Sequence, residues 1–253
     1  MEEPTDRREA PTLVLLPGFM QRGAAWEAVA ERLPERYPSA PLDFRSHSFR
    51  GRITEIEAGA GEGAVLVGYS LGGRLALHAA LRTPGRYAAL VLVGASAGIE
   101  SGAERRARRM ADESLAAWIE RHAIEAVVER WERQAVFASQ AAEIVSAQRP
   151  GRLSHQPAQL AALLRSAGQG ALPPVWERLG ELRIPALALA GELDEPYVRA
   201  ARRMAAVLPR GEARSIGGAG HAPQLERPAE VATALLEFLD EHLGEREVVD
   251  RDA

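Results

Sequence analysis

The sequence has no cysteine, no lysine and no asparagine, and only 5% of its 253 residues are aromatic. The missing lysine and cysteine rule out a Schiff-base amine, a thiol nucleophile, a disulfide and a thiolate metal site. Missing asparagine removes any Asn-linked glycan. All 31 basic side chains are therefore arginine, set against 35 acidic ones for a formal net charge of −4. That balance lacks the global basic field of a nucleic-acid binder. Residues 1–11 mix charges without an apolar run, so no secretory signal is read there, and the expected address is cytoplasmic. The longest apolar stretch, Ala88 to Val93, is far too short to span a bilayer. What remains for chemistry is Ser, His, Asp, Glu, Arg and the few aromatics.

Short apolar runs alternate with helical spacing. Thr12 to Leu16, Pro41 to Phe44, Ala64 to Val67, Ala88 to Val93, Ile184 to Leu189 and Ala213 to Ile216 read as strands. Trp26 to Leu33, Ile53 to Ala58, Leu71 to Leu81, Val198 to Leu208 and Ala229 to Leu243 read as helices. This alternation predicts an α/β fold with a mostly parallel sheet covered by helices. From residue 98 to 183 the texture changes to charged, alanine-rich helical patterns without a strand, as expected of a helical lid inserted into the core. The expected organisation is a core over 11–97 and 184–243, the lid over 98–183, and flexible tails at 1–10 and 244–253.

Gly68-Tyr69-Ser70-Leu71-Gly72 fits G-x-S-x-G, with an apolar strand before it and a helix after it. That context marks a nucleophile elbow rather than a serine in a glycine-rich turn. A serine hydroxyl needs an imidazole oriented by a carboxylate, and the elbow fold places these later in the chain, acid before histidine. Asp194 follows the strand Ile184 to Leu189, and His221 follows the strand Ala213 to Ile216 in the glycine-rich Gly217 to Gly220 loop. Glu192 is the alternative acid. Of the other histidines, His78 reads as a packing residue, His122 and His242 as helix-surface residues, and His47 and His155 stay open. Charge developing on a substrate oxygen needs two amide donors. The Leu71 N–H is one, and the Phe19 N–H, with Met20 in reserve, is the other.

Gly68 to Arg74, Arg105 to Asp112, Trp131 with Gln134 to Ser139, Arg152-Leu153-Ser154, Leu163 to Gly170, Gly191 to Asp194 and Gly220-His221 together resemble the 2-succinyl-6-hydroxy-2,4-cyclohexadiene-1-carboxylate synthases of menaquinone biosynthesis. These are α/β-hydrolase-fold lyases, and the likeness runs from Gly68 to about Leu239. The resemblance implies elimination of pyruvate from a ring bearing several carboxylates, with Ser70, activated by His221 and Asp194, removing a proton. It implies no cofactor and no metal. It assigns anion binding to Arg74, Arg108 and Arg152, and site lining to Tyr69, Trp131 and Phe137. Independently, Arg74 lies four residues after Ser70 and so shares its helix face, where a guanidinium can hold a carboxylate bidentately. Arg109 could replace Arg108, Arg105 and Arg106 read as a solvated face, and Trp131 and Phe137 could be lid core. Three places depart from the family pattern: Pro17 before Gly18-Phe19, the stretch Asp43 to Phe49, and Pro196 after the acid.

The expected partner is a small anionic cyclohexene carboxylate, with no nucleic acid and no membrane, on a monomer or small homo-oligomer. Two other classes share the same residues. One is a hydrolase of an ester or carbon–carbon bond working through an acyl-enzyme on Ser70. The other is a non-catalytic binding module on the same fold.

Overall fold

A computed structural model describes residues 11–244. Both charged ends that the sequence sets apart, residues 1–10 and all but the first residue of 244–253, lie outside them. In chain order the elements are β1 (Leu13–Leu16), a 3-10 turn (Gly23–Trp26) continuing into α1 (Glu27–Ala30), β2 (Ser39–Pro41), α2 (Phe49–Gly59), β3 (Val65–Tyr69), α3 (Leu71–Arg82) and β4 (Ala89–Val93). Next come α4 (Gly102–Ile119), α5 (Ile124–Glu132), α6 (Ala142–Leu153) and α7 (Pro157–Ala167). The chain closes with β5 (Ala186–Gly191), α8 (Glu195–Val207), β6 (Gly211–Ile216), α9 (Pro223–Glu226) and α10 (Pro228–Leu243). The six strands form one parallel sheet in the order β2-β1-β3-β4-β5-β6.

The period of two along each strand sorts side chains to two cores. Val14, Leu16, Leu66, Leu90, Leu92, Ala186 and Ala188 face one side, packed with Ile53 and Ile56 of α2, Leu75 of α3 and Met204 of α8. Leu13, Leu15, Val65, Val67, Val91, Leu187 and Leu189 face the other, against Trp26, Val29 and the α10 residues Leu235, Phe238 and Leu239. The inner strands β1, β3, β4 and β5 are buried throughout, while the outer β2 and β6 are part-exposed. Continuous apolar runs in the middle of the sheet follow from burial on both faces.

Residues 98–183 contain α4 to α7 and, among the described residues, no strand. They carry a third cluster of their own, in which Ala116, Ile119, Val127, Val128, Leu160 and Leu164 close on Met20. Ser101 starts α4 by accepting a hydrogen bond from the Glu104 N–H, the first half of a capping box. No helix among the described residues is long and apolar enough to cross a membrane.

Several boundaries differ from the sequence reading, each for a local reason. The first helix stops at Ala30 rather than Leu33, because Arg32 and Leu33 bond three residues back in tight turns ahead of Pro34. The second strand is Ser39–Pro41 rather than Pro41 to Phe44; Asp43 turns to accept from the Gly23 N–H at 2.6 Å, and Phe44 enters the core. β5 begins at Ala186 because Pro185 has no N–H to give to the ladder. α2 begins at Phe49, where Ser48 caps it by accepting from the Gly51 N–H. α8 starts at Glu195, three residues ahead of the apolar spacing.

Phe238 is fully buried on α10 against the sheet. Phe238→Ala should lower unfolding free energy by about 3–5 kcal/mol, read by urea denaturation with an unchanged slope.

Candidate active site

The site forms where β3 turns into α3. Ser70, between them, holds φ 49° and ψ −108°. That is a left-handed conformation that L-residues avoid, held here because the surroundings over-determine it. The motif's glycines serve a different need. A Cβ on Gly68 would lie 2.5 Å from the Gly72 carbonyl carbon, and one on Gly72 would lie 2.3 Å from the Leu16 carbonyl oxygen. They let strand and helix approach, while the serine itself carries the strained turn. The Ser70 N–H is anchored to the Val93 carbonyl at 2.8 Å.

Two loops at the same end of the sheet bring the partners. Asp194 opens α8 after β5, and His221 follows β6. The Leu193 N–H donates to the Ala219 carbonyl at 2.9 Å, tying one loop to the other. His221 Nδ1 lies 2.6 Å from Asp194 Oδ2, and its Nε2 lies 3.4 Å from Ser70 Oγ. A carboxylate only accepts, so Nδ1 carries the proton and Nε2 is free to accept from the serine hydroxyl. The second distance is at the long end of the hydrogen-bonding range. Glu192 turns elsewhere: its Oε2 accepts from the Gly218 N–H at 3.0 Å.

Ser70 opens into a cleft of about 240 Å³ between the sheet's end and the helical insertion, lined by Phe19, Tyr69, Leu71, Arg74, Arg108, Trp131, Phe137, Arg152, Tyr197 and His221, among others. The aromatics form a chain, with Phe19 and Trp131 centroids 5.1 Å apart, Trp131 and Phe137 5.5 Å, and Phe137 and His221 6.2 Å. Tyr197 also packs on the imidazole at 4.6 Å, and Tyr69 lies 5.5 Å from it. Burial pushes the Tyr69 phenol well above its ordinary range, so it stays a donor at neutral pH. Among the described residues, neither the Phe19 nor the Leu71 N–H has an internal acceptor, while the neighbouring Gly18 N–H is taken by Gln21 Oε1. Met20, also at positive φ, sends its side chain into the insertion's core.

The three arginines are held differently. Arg74 Nη1 donates to the Ala167 carbonyl at 3.2 Å, and among the described residues it meets no carboxylate. Burial pushes its pKa down to about 10, which still leaves it charged at neutral pH. Arg108 donates from Nε to Asp112 Oδ1 and from Nη1 to Gln169 Oε1, both at 2.7 Å. Arg152, 3% exposed, donates to Glu132 at 3.0 Å, and its buried Nε finds no partner among the described residues. Arg109 faces a different groove beside Arg106 and Met110, so Arg108 is the one in the cleft.

His47 and His155 line a small separate cavity with Arg22 and Arg52. His122 stacks on Trp118 at 4.0 Å on the insertion's surface. His242 is less superficial than its helix position implies, since its Nε2 meets Glu212. Tyr197, Asp112, Gln169 and Glu132 were not anticipated from the residues. Asp112 had a signal, standing four residues after Arg108 on one helix, the spacing of an intrahelical ion pair.

Comparison with known proteins places these features. The alpha/beta hydrolase family model matches residues 13–234. A Bacillus subtilis (strain 168) protein that carries the name 2-succinyl-6-hydroxy-2,4-cyclohexadiene-1-carboxylate synthase provisionally is 32% identical over 245 residues, 90% of this chain and 89% of its own. The synthase of that name from Salmonella agona (strain SL483) is 30% identical, over 91% of this chain and 94% of its own. The solved structure of MenH from S. aureus superposes with a TM-score of 0.85 at 30% identity, covering 94% of this chain and 96% of that one.

Two part-buried imidazoles outside the cleft should make stability depend on pH. Burial, then the charges of Arg74 and Arg178, push His78 down to about 4. Burial, then Arg22 and Arg52, do the same to His155. Both values lie below the ordinary imidazole value of about 6.5, so the unfolded chain binds more protons between these pH values. Stability should therefore fall as pH drops from about 6.5 toward 4, and His78→Leu should flatten that part of a melting-temperature profile.

Proposed function

The chain belongs to the alpha/beta hydrolase family and, within it, to the 2-succinyl-6-hydroxy-2,4-cyclohexadiene-1-carboxylate synthases, and on that premise we propose that its cleft eliminates pyruvate from 2-succinyl-5-enolpyruvyl-6-hydroxy-3-cyclohexene-1-carboxylate. The observation that carries this substrate class is Arg74, a part-buried guanidinium facing the same cleft as Ser70 and lacking a carboxylate partner among the described residues. A buried cation without a counter-charge is costly, and an anionic ligand supplies one. Arg108 and Arg152 stand in the same cleft, each pre-oriented by one acid, so a ring carrying several carboxylates finds several fixed forks.

In this reading His221 Nε2 takes the Ser70 hydroxyl proton as that oxygen removes the ring proton beside the succinyl carbonyl. Asp194 holds the imidazole's tautomer and stabilises the imidazolium that forms. Negative charge moves onto the carbonyl oxygen, where the Phe19 and Leu71 N–H groups are free to receive it. The carbon–oxygen bond to the enolpyruvyl group then breaks, the ring gains its second double bond, and the departing enolate takes up the imidazolium's proton to leave as pyruvate, which resets His221. Tyr69, Trp131 and Phe137 wall the reacting ring away from water. The reaction needs nothing beyond this chain's own groups, and it suits a small substrate reaching the cleft from the cytoplasm.

Arg74→Ala should reduce kcat/KM for this ring substrate by about 100-fold, roughly 3 kcal/mol of transition-state stabilisation, while Ser70→Ala should abolish turnover. The measurement is mass-spectrometric detection of released pyruvate. Steady release of p-nitrophenolate and carboxylic acid from p-nitrophenyl esters, with no pyruvate from the ring substrate, would instead assign acyl-enzyme hydrolysis.

A further inference from the structure

Glu226 stands at the end of α9, five residues past His221, and makes no contact with the cleft's three arginines. Its carboxylate nevertheless brackets the histidine. Oε2 accepts from the Gly220 N–H at 2.8 Å, and Oε1 accepts from the Ala222 N–H at 3.1 Å. The residues on both sides of His221 are thus bonded to the two oxygens of one side chain. A third donor comes from the helical insertion: the Ser139 hydroxyl reaches the same Oε2 at 3.0 Å. The approach is close enough to dictate the residue opposite, because a Cβ on Gly220 would lie 1.9 Å from Ser139 Oγ. Two residues before Ser139, Phe137 packs on the imidazole itself.

We propose that Glu226 is a positioning residue for the base His221, and that Ser139 completes it, so that the histidine is held at its working angle only when the 137–139 segment is seated. This rests on the reading of His221 as the base. The argument is geometric. The loop from Gly217 to His221 has three glycines among five residues, with Gly218 at positive φ, and is poorly constrained by its own side chains. The 3.4 Å contact from Nε2 to Ser70 is sensitive to small rotations of that loop. A carboxylate bonded to the amides on both flanks of His221 removes that freedom, and charge-assisted bonds are the stronger kind for doing so. The amide of glutamine cannot replace it. One of its two atoms is an NH₂ group, which would face an N–H donor.

The test uses Glu226→Gln, Glu226→Asp, Ser139→Ala and the double variant Glu226→Gln with Ser139→Ala. Pyruvate release should show kcat about 30-fold lower in Glu226→Gln, with KM within about twofold of wild type, and partial recovery in Glu226→Asp. Ser139→Ala should lower kcat about fivefold. The double variant should be no worse than Glu226→Gln alone, because both changes break one network. A second readout needs no substrate: the far-downfield proton resonance of the His221–Asp194 hydrogen bond should broaden or move in Glu226→Gln while thermal stability stays within a few degrees. If the wild-type protein releases no pyruvate, the proposed reaction fails but the resonance still decides the role of Glu226. An unchanged resonance in Glu226→Gln, a rise in KM with kcat preserved, or effects that multiply in the double variant would each overturn the inference.

Discussion

The cleft depends on one backbone conformation. Ser70 sits at φ 49° at the end of the most central part of the sheet, and the turn is possible only because Gly68 and Gly72 carry no side chain where β3, α3 and the end of β1 converge. The strain is small beside the burial that surrounds it: Val65, Leu66 and Val67 before the turn, and Leu71 and Leu75 after it, are all essentially inaccessible. Packing on both faces of the sheet thus holds the Ser70 hydroxyl in a position that local preference alone would abandon. It also aims the first amide of α3 at the same point, where the helix dipole adds to its pull on negative charge.

Around that hydroxyl, charge is arranged by pairing. Asp194 is committed to His221, Asp112 to Arg108, and Glu132 to Arg152 and Arg149. Asp112 and Glu132 fix their arginines without filling the cleft, and Arg108 keeps a second contact to Gln169, which in turn donates to the Tyr197 hydroxyl at 2.8 Å. Tyr197 packs on the imidazole, so the arginine-lined wall and His221 share a continuous set of contacts. A chain without lysine meets this requirement well. Guanidinium groups offer fixed, planar donors, and they keep their charge even where burial draws the pKa of Arg74 down to about 10.

Much of this was legible in the letters because it lies in local pattern. The alternation of apolar runs and helical spacing gives the layered sheet, and G-x-S-x-G between a strand and a helix gives the turn. The acid and the histidine follow from their places after later strands. What escaped was settled by contacts between distant segments. The ends of α2 and β2 depend on Ser48 and on Asp43 reaching Gly23, and neither is a periodic signal. Choosing Arg108 over Arg109 needs the rotation of α4 against α7, which the spacing of charged residues does not supply. Tyr197, in the first turn of α8, and Glu226, at the end of α9, are ordinary letters, and their meaning appears only when the His221 loop is placed beside them.

The cleft's two walls come from different parts of the chain. Ser70, Arg74 and His221 belong to the sheet layer, while Arg108, Trp131, Phe137 and Arg152 belong to the inserted helices. On the proposed reading, a molecule with negative groups at opposite ends acts as a clamp, fastening one layer to the other in the act of being bound. Each half of such a molecule taken separately would grip only a single shore, so the whole should be held far more tightly than its pieces foretell. On that reading, selectivity for the complete substrate comes from its span as much as from its charge.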